Sequence, residues 1–250
     1  MPVRAIKGFL AQNLVITFRE VAIVAILILA YMSTRKLFLS DAYTATINAR
    51  QIIALEKDFG FFWEPAWQTW ALSHAKVAVV FLNWAYILSY GPVMLLTGLA
   101  LFSFDRHGYY YYRNVMFVAL TVAIIVFILF PAAPPRMIPA YFVDTIQLLG
   151  PSSYGGEGMN KFVNVYAAIP SMHLSWGIIF TVICWRYGKT YLKALGVFFS
   201  AMVFLAITIT GNHYIADAIA GGVITGVGFA VVELAKRLRS YRLQRLERAD

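Results

Sequence analysis

The stretch VFFSAMVFLAITITGNHYIADAIAGGVITGVGFAVVELA, residues 197–235, holds two apolar runs separated by a short polar turn. A helix that crosses a bilayer needs about 20 mostly apolar residues, and each run belongs to a segment of that length. Similar segments recur along the chain and predict six spans, at residues 14–38, 77–104, 114–131, 168–186, 191–210 and 214–235. The sequence therefore predicts an all-α integral membrane protein, a six-helix bundle. We assign residues 1–250 to one domain, with a core at 47–235 and a basic tail at 236–250.

The composition agrees with a membrane protein. Of the 250 residues, 60% are hydrophobic and 13% are charged, whereas a soluble domain of this length exposes far more charge. The net charge of +9 raises nucleic acid as a partner, but 14 of the 21 Lys and Arg residues fall on one side of the six spans. Basic residues accumulate on the cytoplasmic side and contact anionic lipids. We therefore predict cytoplasmic termini and no nucleic-acid partner, and we call the opposite membrane face the outer face.

Two segments on the outer side interrupt the pattern of spans. Residues 47–72 place apolar residues and tryptophans at roughly helical spacing, which predicts an amphipathic helix in the headgroup layer before the second span. A helix packed against the bundle is an equally good interpretation, and the two are compatible. Residues 132–167 are rich in Pro and Gly, and a long loop of this kind between spans three and four is predicted to be ordered and functional.

His213 and Asp217 are the first candidates for catalysis. They are spaced i, i+4 and so share one helix face, where the carboxylate can hold one imidazole nitrogen and leave the other free to attack. This arrangement orients and activates a histidine nucleophile. The alternative is a structural pair that bridges helices, but an ionisable pair next to a span favours function.

Two further polar sites belong to the same membrane face by parity of crossing. His173 follows the helix-opening residue Ser171, where free backbone N–H groups suit an anion and a histidine can protonate a leaving oxygen. Arg136 carries a planar fork that matches phosphate oxygens. Each residue alone is more often an ordinary polar residue or an interfacial anchor, but together with His213 they indicate phosphoryl transfer. We also assign four more residues to substrate binding: Ser171, Asn212, Tyr214 and Lys161.

Zinc is the competing interpretation, since two histidines and a carboxylate can bind this metal. The His213 and Asp217 pair lacks the further Glu or His that completes such a helix motif, and Arg136 would repel a cation. We therefore predict neither a metal nor another cofactor.

Four short motifs resemble a known family. "PSMH", "NHYIAD" and "APPR" are similar to motifs of the type 2 phosphatidic acid phosphatase superfamily, most closely its inositolphosphotransferase-like branch, which contains fungal inositol phosphorylceramide synthase. "LEKDFGFFWEPAWQ" is similar to that branch's segment before the second span, and the resemblance covers most of residues 47–225.

The resemblance implies a six-helix enzyme that works by metal-independent double displacement. It makes His213 the nucleophile that forms a phosphohistidine, Asp217 its orienting residue, His173 the general acid and Arg136 the phosphate ligand.

The chain departs from the superfamily pattern at three positions. Leu129 stands where the pattern has lysine, Met137 where it has proline and Ile207 where it has arginine. A phosphate monoester carries up to two negative charges and a diester one, so fewer fixed cations favour a diester or transfer between alcohols. Lys161 and Arg50 lie on the same side and can supply the missing charge.

The sequence thus predicts a lipid phosphatase or phosphotransferase of the cell membrane, acting on a lipid phosphate or phosphodiester at the outer face, with a polyol such as inositol as a possible acceptor. The alternative is a transporter or scaffold without enzyme activity. A transporter predicts polar residues along a path through the bilayer midplane. The candidates here cluster at one face instead, which favours the enzyme. The sequence gives no indication of the oligomeric state.

Overall fold

The computed structural model of the chain describes residues 3–37, 42–150 and 164–247. Nine α-helices account for most of these residues: α1 (Val3–Leu37), α2 (Ala42–Asp58), α3 (Glu64–His74), α4 (Lys76–Phe104), α5 (Arg106–Leu129), α6 (Thr145–Leu149), α7 (Met172–Tyr187), α8 (Thr190–Ile209) and α9 (Ile215–Glu247). A 3₁₀ turn covers Pro135–Met137, and the described part of the chain contains no strand beyond an isolated bridge between Ala132 and Ala167. The all-α prediction is confirmed.

Five of the described helices are long and apolar enough to cross a membrane: α1 through its segment Leu14–Tyr31, α4, α5, α8 and α9. The predicted fourth span corresponds to α7, which has only 16 residues and therefore a length of about 24 Å. It starts at Met172 rather than near residue 168 because Ser171 caps it and the preceding backbone is not helical. The structure thus supports five candidate spans, and the sixth stays a prediction.

The short helix α7 lies at the centre of the bundle, in contact with α4, α5, α8 and α9. Apolar residues at helical spacing on α5 and α7 interlock to form the largest core cluster: Met116, Ala119, Ala123 and Phe127 with Met172, Trp176, Ile179 and Ile183. The cluster includes Met172, so the first turn of α7 is held in place at one end of the bundle.

Helix α1 contains a glutamate that interrupts its apolar sequence. The side chain of Glu20 is 5% exposed and forms an ion pair with Arg113 of α5. A buried charge with a close opposite partner is tolerated, so this pair explains how the first predicted span carries a carboxylate.

The predicted amphipathic helix at residues 47–72 consists of two helices, α2 and α3, separated by a break at Gly60, whose φ is +75°. The buried face of α2 packs against the segment after α5 and against Tyr214. Of the two interpretations of residues 47–72, the structure therefore shows the helix that packs against the bundle. Trp63 and Trp70 are exposed, and their contact with the headgroup layer stays a prediction.

The loop between α5 and α7 is described in two parts, residues 131–150 and 164–171. Helix α6 begins at the Asp144 side chain, which accepts hydrogen bonds from the amides of Ile146 and Gln147. Thr145 of this helix donates to Asn83 of α4, so the first part of the loop is fixed to the bundle. Lys161 and the predicted order of residues 151–163 lie outside the described residues.

Candidate active site

The candidate site forms where three backbone segments meet: the 3₁₀ turn, the segment before α7 and the turn between α8 and α9. The amide of Arg136 donates to the carbonyl of Gly211 over 2.7 Å, and the amide of Ser171 donates to the carbonyl of Asp217 over 2.9 Å. The isolated bridge between Ala132 and Ala167 joins the residues just before the 3₁₀ turn to the segment before α7. The three polar motifs are far apart in sequence, and these contacts bring them to the same end of the bundle.

His213 is buried, and one of its ring nitrogens is held by two acceptors. Its Nδ1 lies 2.7 Å from the carbonyl oxygen of Ala168 and 3.3 Å from Oδ2 of Asp217. Since both partners accept, Nδ1 carries a proton, and in the neutral ring the lone pair is then on Nε2. The carbonyl of Ala168 is the nearer partner, and sequence reasoning missed it because a backbone atom leaves no residue-type signal.

Asp217 is fully buried beside this histidine. Its Oδ2 also accepts a hydrogen bond from the amide of Tyr214 over 3.0 Å, which fixes the carboxylate in the first turn of α9. The other oxygen, Oδ1, has no hydrogen-bond partner among the described residues. The side chain that sequence spacing selected therefore does lie where it can orient His213.

His173 lies in the first turn of α7 and faces His213. The centroids of the two imidazole rings are 5.7 Å apart. His173 stacks on Tyr86 at 4.3 Å and lies 5.2 Å from the ring of Tyr90, so its orientation is fixed by aromatic packing. Two tilted imidazole rings thus lie next to each other at the end of the bundle where α7 and α9 begin.

Ser171 is the N-cap of α7, and its Oγ accepts from the amide of Leu174 over 3.4 Å. Its hydroxyl thus has a structural task, which sequence reasoning had assigned to the substrate. The neighbouring carbonyl of Ser171 lies against Gly221 of α9, where an added Cβ would be 2.4 Å from the oxygen. Close approach of α9 to this segment therefore depends on the glycine.

Arg136 reaches the site from the 3₁₀ turn, with 21% of its side chain exposed. Its guanidinium donates to Oδ1 of Asn212, and its Nε lies 3.7 Å from Oδ2 of Asp144. A guanidinium has five N–H donors, so donors beyond these contacts are available for a phosphate. Asn212 was predicted to contact substrate, and the structure shows that its carbonyl oxygen holds Arg136.

Tyr214, which was predicted to bind substrate, has a structural position instead. The side chain of Tyr214 is fully buried, and its hydroxyl donates to the carbonyl of Ala133 over 3.3 Å. This is a packing position in the core cluster that α2 forms with the segment after α5. Lys161 is outside the described residues, and Arg50 is exposed on α2.

Two buried carboxyl groups next to the site were missed by sequence reasoning. Oε1 of Glu64 accepts from the amide of Ile215, and Oε1 of Glu56 accepts from the amide of Ala216, each over 2.7 Å. Burial, together with the charges of Glu64 and Asp217, raises the pKa of Glu56 to about 9, and burial also raises the pKa of Glu64. Both residues belong to "LEKDFGFFWEPAWQ", so the sequence signal was two glutamates in a segment rich in aromatic residues.

The positions that depart from the superfamily pattern carry no positive charge near the site. Leu129 is 77% exposed at the end of α5, and Ile207 is fully buried in α8. Within residues 3–37, 42–150 and 164–247, no group of three or more His, Cys, Asp or Glu side chains is arranged to hold a metal ion. In the described part of the chain, Arg136 is the cation that contacts the site.

A comparison with protein families identifies the chain. The model of the PAP2 superfamily matches residues 50–231, which are nearly three quarters of the sequence and include every described residue of the candidate site. No curated protein and no solved structure matches the chain.

Proposed function

Because the chain belongs to the PAP2 superfamily, whose membership indicates an activity on phosphate esters, we propose that it is a membrane lipid phosphatase or phosphotransferase that forms a phosphohistidine. The observation that carries this proposal is the pair of neighbouring imidazoles, His213 and His173, with ring centroids 5.7 Å apart. The distribution of basic residues favours an outer-face site that takes a lipid phosphate or phosphodiester.

The first half of the reaction transfers the phosphoryl group to the protein. Nε2 of His213 attacks phosphorus, the bond from phosphorus to the leaving oxygen breaks, and protonated His173 gives its proton to that oxygen. The Ala168 carbonyl and the Asp217 carboxylate accept from Nδ1–H, and the carboxylate stabilises the positive charge that develops on the ring. Arg136 binds the phosphate oxygens and balances their charge.

The second half releases the group to an acceptor. His173 is now neutral and takes a proton from water or from a second alcohol, whose oxygen attacks phosphorus as the bond to Nε2 of His213 breaks. With a monoester substrate, water as acceptor releases inorganic phosphate. With a diester, one ester group stays on phosphorus, so water releases a phosphate monoester and a polyol such as inositol gives headgroup transfer. No step in this sequence requires a metal ion.

The charge of the site favours a diester substrate or transfer between alcohols. Leu129 and Ile207 replace two cations of the superfamily pattern, so a singly charged phosphodiester matches Arg136 better than a doubly charged monoester. Arg50 and Lys161 are the residues that can restore the missing charge. If both can be replaced by alanine while a soluble monoester is still hydrolysed at the same rate, this charge argument is wrong.

The decisive experiment uses the purified full chain in detergent with a short-chain lipid phosphate and with the matching phosphodiester, each with and without free inositol. Release of inorganic phosphate identifies a phosphatase, and headgroup exchange without phosphate identifies a transferase. His213→Ala should abolish either activity and the acid-labile label that a radioactive phosphoryl donor leaves on the protein. His74→Ala is the matched control, since this histidine is exposed on α3. Activity that survives in His213→Ala contradicts the proposal.

The alternative, a transporter, has less support from the geometry. A transport path needs polar groups distributed along the bundle. His173, His213, Asp217 and Arg136 instead meet at the end where α7 and α9 begin.

A further inference from the structure

We propose that Glu56 and Glu64 form a carboxyl pair that shares one proton and holds the first turn of α9, so that the two residues position His213 and Asp217. The test by enzyme activity rests on the proposed function. The test by infrared spectroscopy depends on the structure alone.

The pair is placed at the backbone that carries the catalytic residues. The first amides of a helix have no partner within the helix, and an anion there interacts favourably with the helix dipole. In α9 the amides of Ile215 and Ala216 donate to Glu64 and Glu56, respectively, and both carboxyl groups are fully buried. These two amides lie between His213 and Asp217 in the chain, so the contacts fix the backbone on which the nucleophile and its orienting residue stand.

The geometry of the two carboxyl groups requires a proton. The carboxyl groups of Glu56 and Glu64 accept from consecutive amides, and both Oε2 atoms are buried with no hydrogen-bond partner among the described residues. Two neighbouring buried carboxylates without a positive charge beside them cannot both stay ionised, so one group must hold a proton, which its Oε2 can donate to the other carboxylate. The titratable groups that face the pair are Asp217 and Tyr214, and neither supplies a positive charge.

The shared proton makes the first turn of α9 sensitive to alkaline pH. The raised pKa of Glu56, about 9, keeps the pair singly protonated at neutral pH. Loss of the proton would place two negative charges side by side in a buried site, and the resulting repulsion would displace the first turn. We expect kcat to fall as the proton is lost, with little change in KM, because the binding residue Arg136 stands on a different segment.

Infrared spectroscopy of the full chain tests the proton without using activity. The wild type should show the C=O stretch of a buried protonated carboxyl group at pH 7, and this band should disappear above about pH 9. Glu56→Gln and Glu64→Gln should each lose the band, since the new amide donates to the remaining carboxylate and the proton is no longer needed. Asp58→Asn, an exposed change on α2, should keep it. A spectrum of Glu56→Gln at pH 7 that matches the wild type overturns the shared proton.

The pH dependence of kcat tests the positioning role. Both single glutamine variants should stay within about threefold of the wild-type kcat at pH 7, because each keeps one anion and one donor at the helix start. Both should lose the fall in kcat above about pH 9 that the wild type shows. A fall that persists unchanged in both variants overturns the positioning role. If the wild type is inactive on every phosphate ester while the infrared band behaves as expected, the proposed function fails and the carboxyl pair stands.

Discussion

Replacement of Gly221 by alanine should damage the candidate site through a single steric contact. An ideal Cβ at this position would lie 2.4 Å from the carbonyl oxygen of Ser171 and 3.3 Å from its carbonyl carbon. Ordinary contacts of this kind begin near 3.4 Å. The new methyl group must therefore push the segment before α7 away from α9 by about 1 Å. Ser171 caps α7, and His173 follows two residues later, so the displacement reaches the proposed general acid.

The structure sets the size of the effect. Overpacking of a close contact costs about 1–3 kcal/mol of folding free energy. The higher helix propensity of alanine recovers up to about 1 kcal/mol. A misplacement of about 1 Å in a catalytic group can lower the rate by about 100-fold. We therefore expect Gly221→Ala to lose about 100-fold in kcat, with only a modest drop in the melting temperature.

The assay measures kcat on the phosphate ester that the wild type uses, together with thermal unfolding in the same detergent. Gly226→Ala is the matched control, since this glycine lies on the same helix and its added Cβ meets nothing within 4 Å. Gly222→Ala is a second control, because its Cβ would make an ordinary contact of 3.7 Å with the side chain of Ile178. Equal kcat values for the Gly221 and Gly226 variants would refute the steric argument.

Three further predictions concern the charged groups of the site. Asp217→Asn should lower kcat by about 10–100-fold and leave KM unchanged, because the Ala168 carbonyl still holds Nδ1 of His213 and only the charge is lost; an unchanged kcat would contradict the orienting role. Arg136→Lys should raise KM about tenfold in steady-state kinetics, because lysine keeps the charge but loses the planar fork; an unchanged KM would remove Arg136 from the site. The pKa of Glu56 rises from 4.5 to about 9 on folding, so the folded state retains a proton that the unfolded chain releases, and stability should fall as pH rises between these values. The loss of unfolding free energy is at most about 1.4 kcal/mol per pH unit. Thermal unfolding from pH 5 to pH 9 should therefore show a shallower fall in stability with pH in Glu56→Gln than in the wild type. Equal slopes would contradict the raised pKa of Glu56.

Local features of the sequence predicted the fold class and the polar motifs. The length of an apolar run and the i, i+4 spacing of His213 and Asp217 are properties of neighbouring residues, and the structure retains both. The length of α7 was harder to predict, because the apolar pattern continues through residues 168–171 while the backbone there is not helical. Contacts with the residues before the 3₁₀ turn and with α9 fix this segment. These contacts join residues that are far apart in the sequence, so no local pattern predicts them.

The roles of individual polar residues depended still more on tertiary contacts. Ser171 and Asn212 have side chains that suit a phosphate, yet the structure uses one as a helix cap and the other to hold Arg136. A sequence shows which groups can form hydrogen bonds, but the partner of each group is the one that the fold brings within about 3 Å.

The sequence by itself determined that the chain is helical and apolar enough to enter a membrane, and that Arg136, His173 and His213 are chemically suited to phosphoryl transfer. Only the tertiary structure decided that Glu56 and Glu64 hold the first turn of α9. The physical reason is distance along the chain: 160 residues separate Glu56 from the amide of Ala216 that it accepts from. The sequence contains the two glutamates but does not contain the contact.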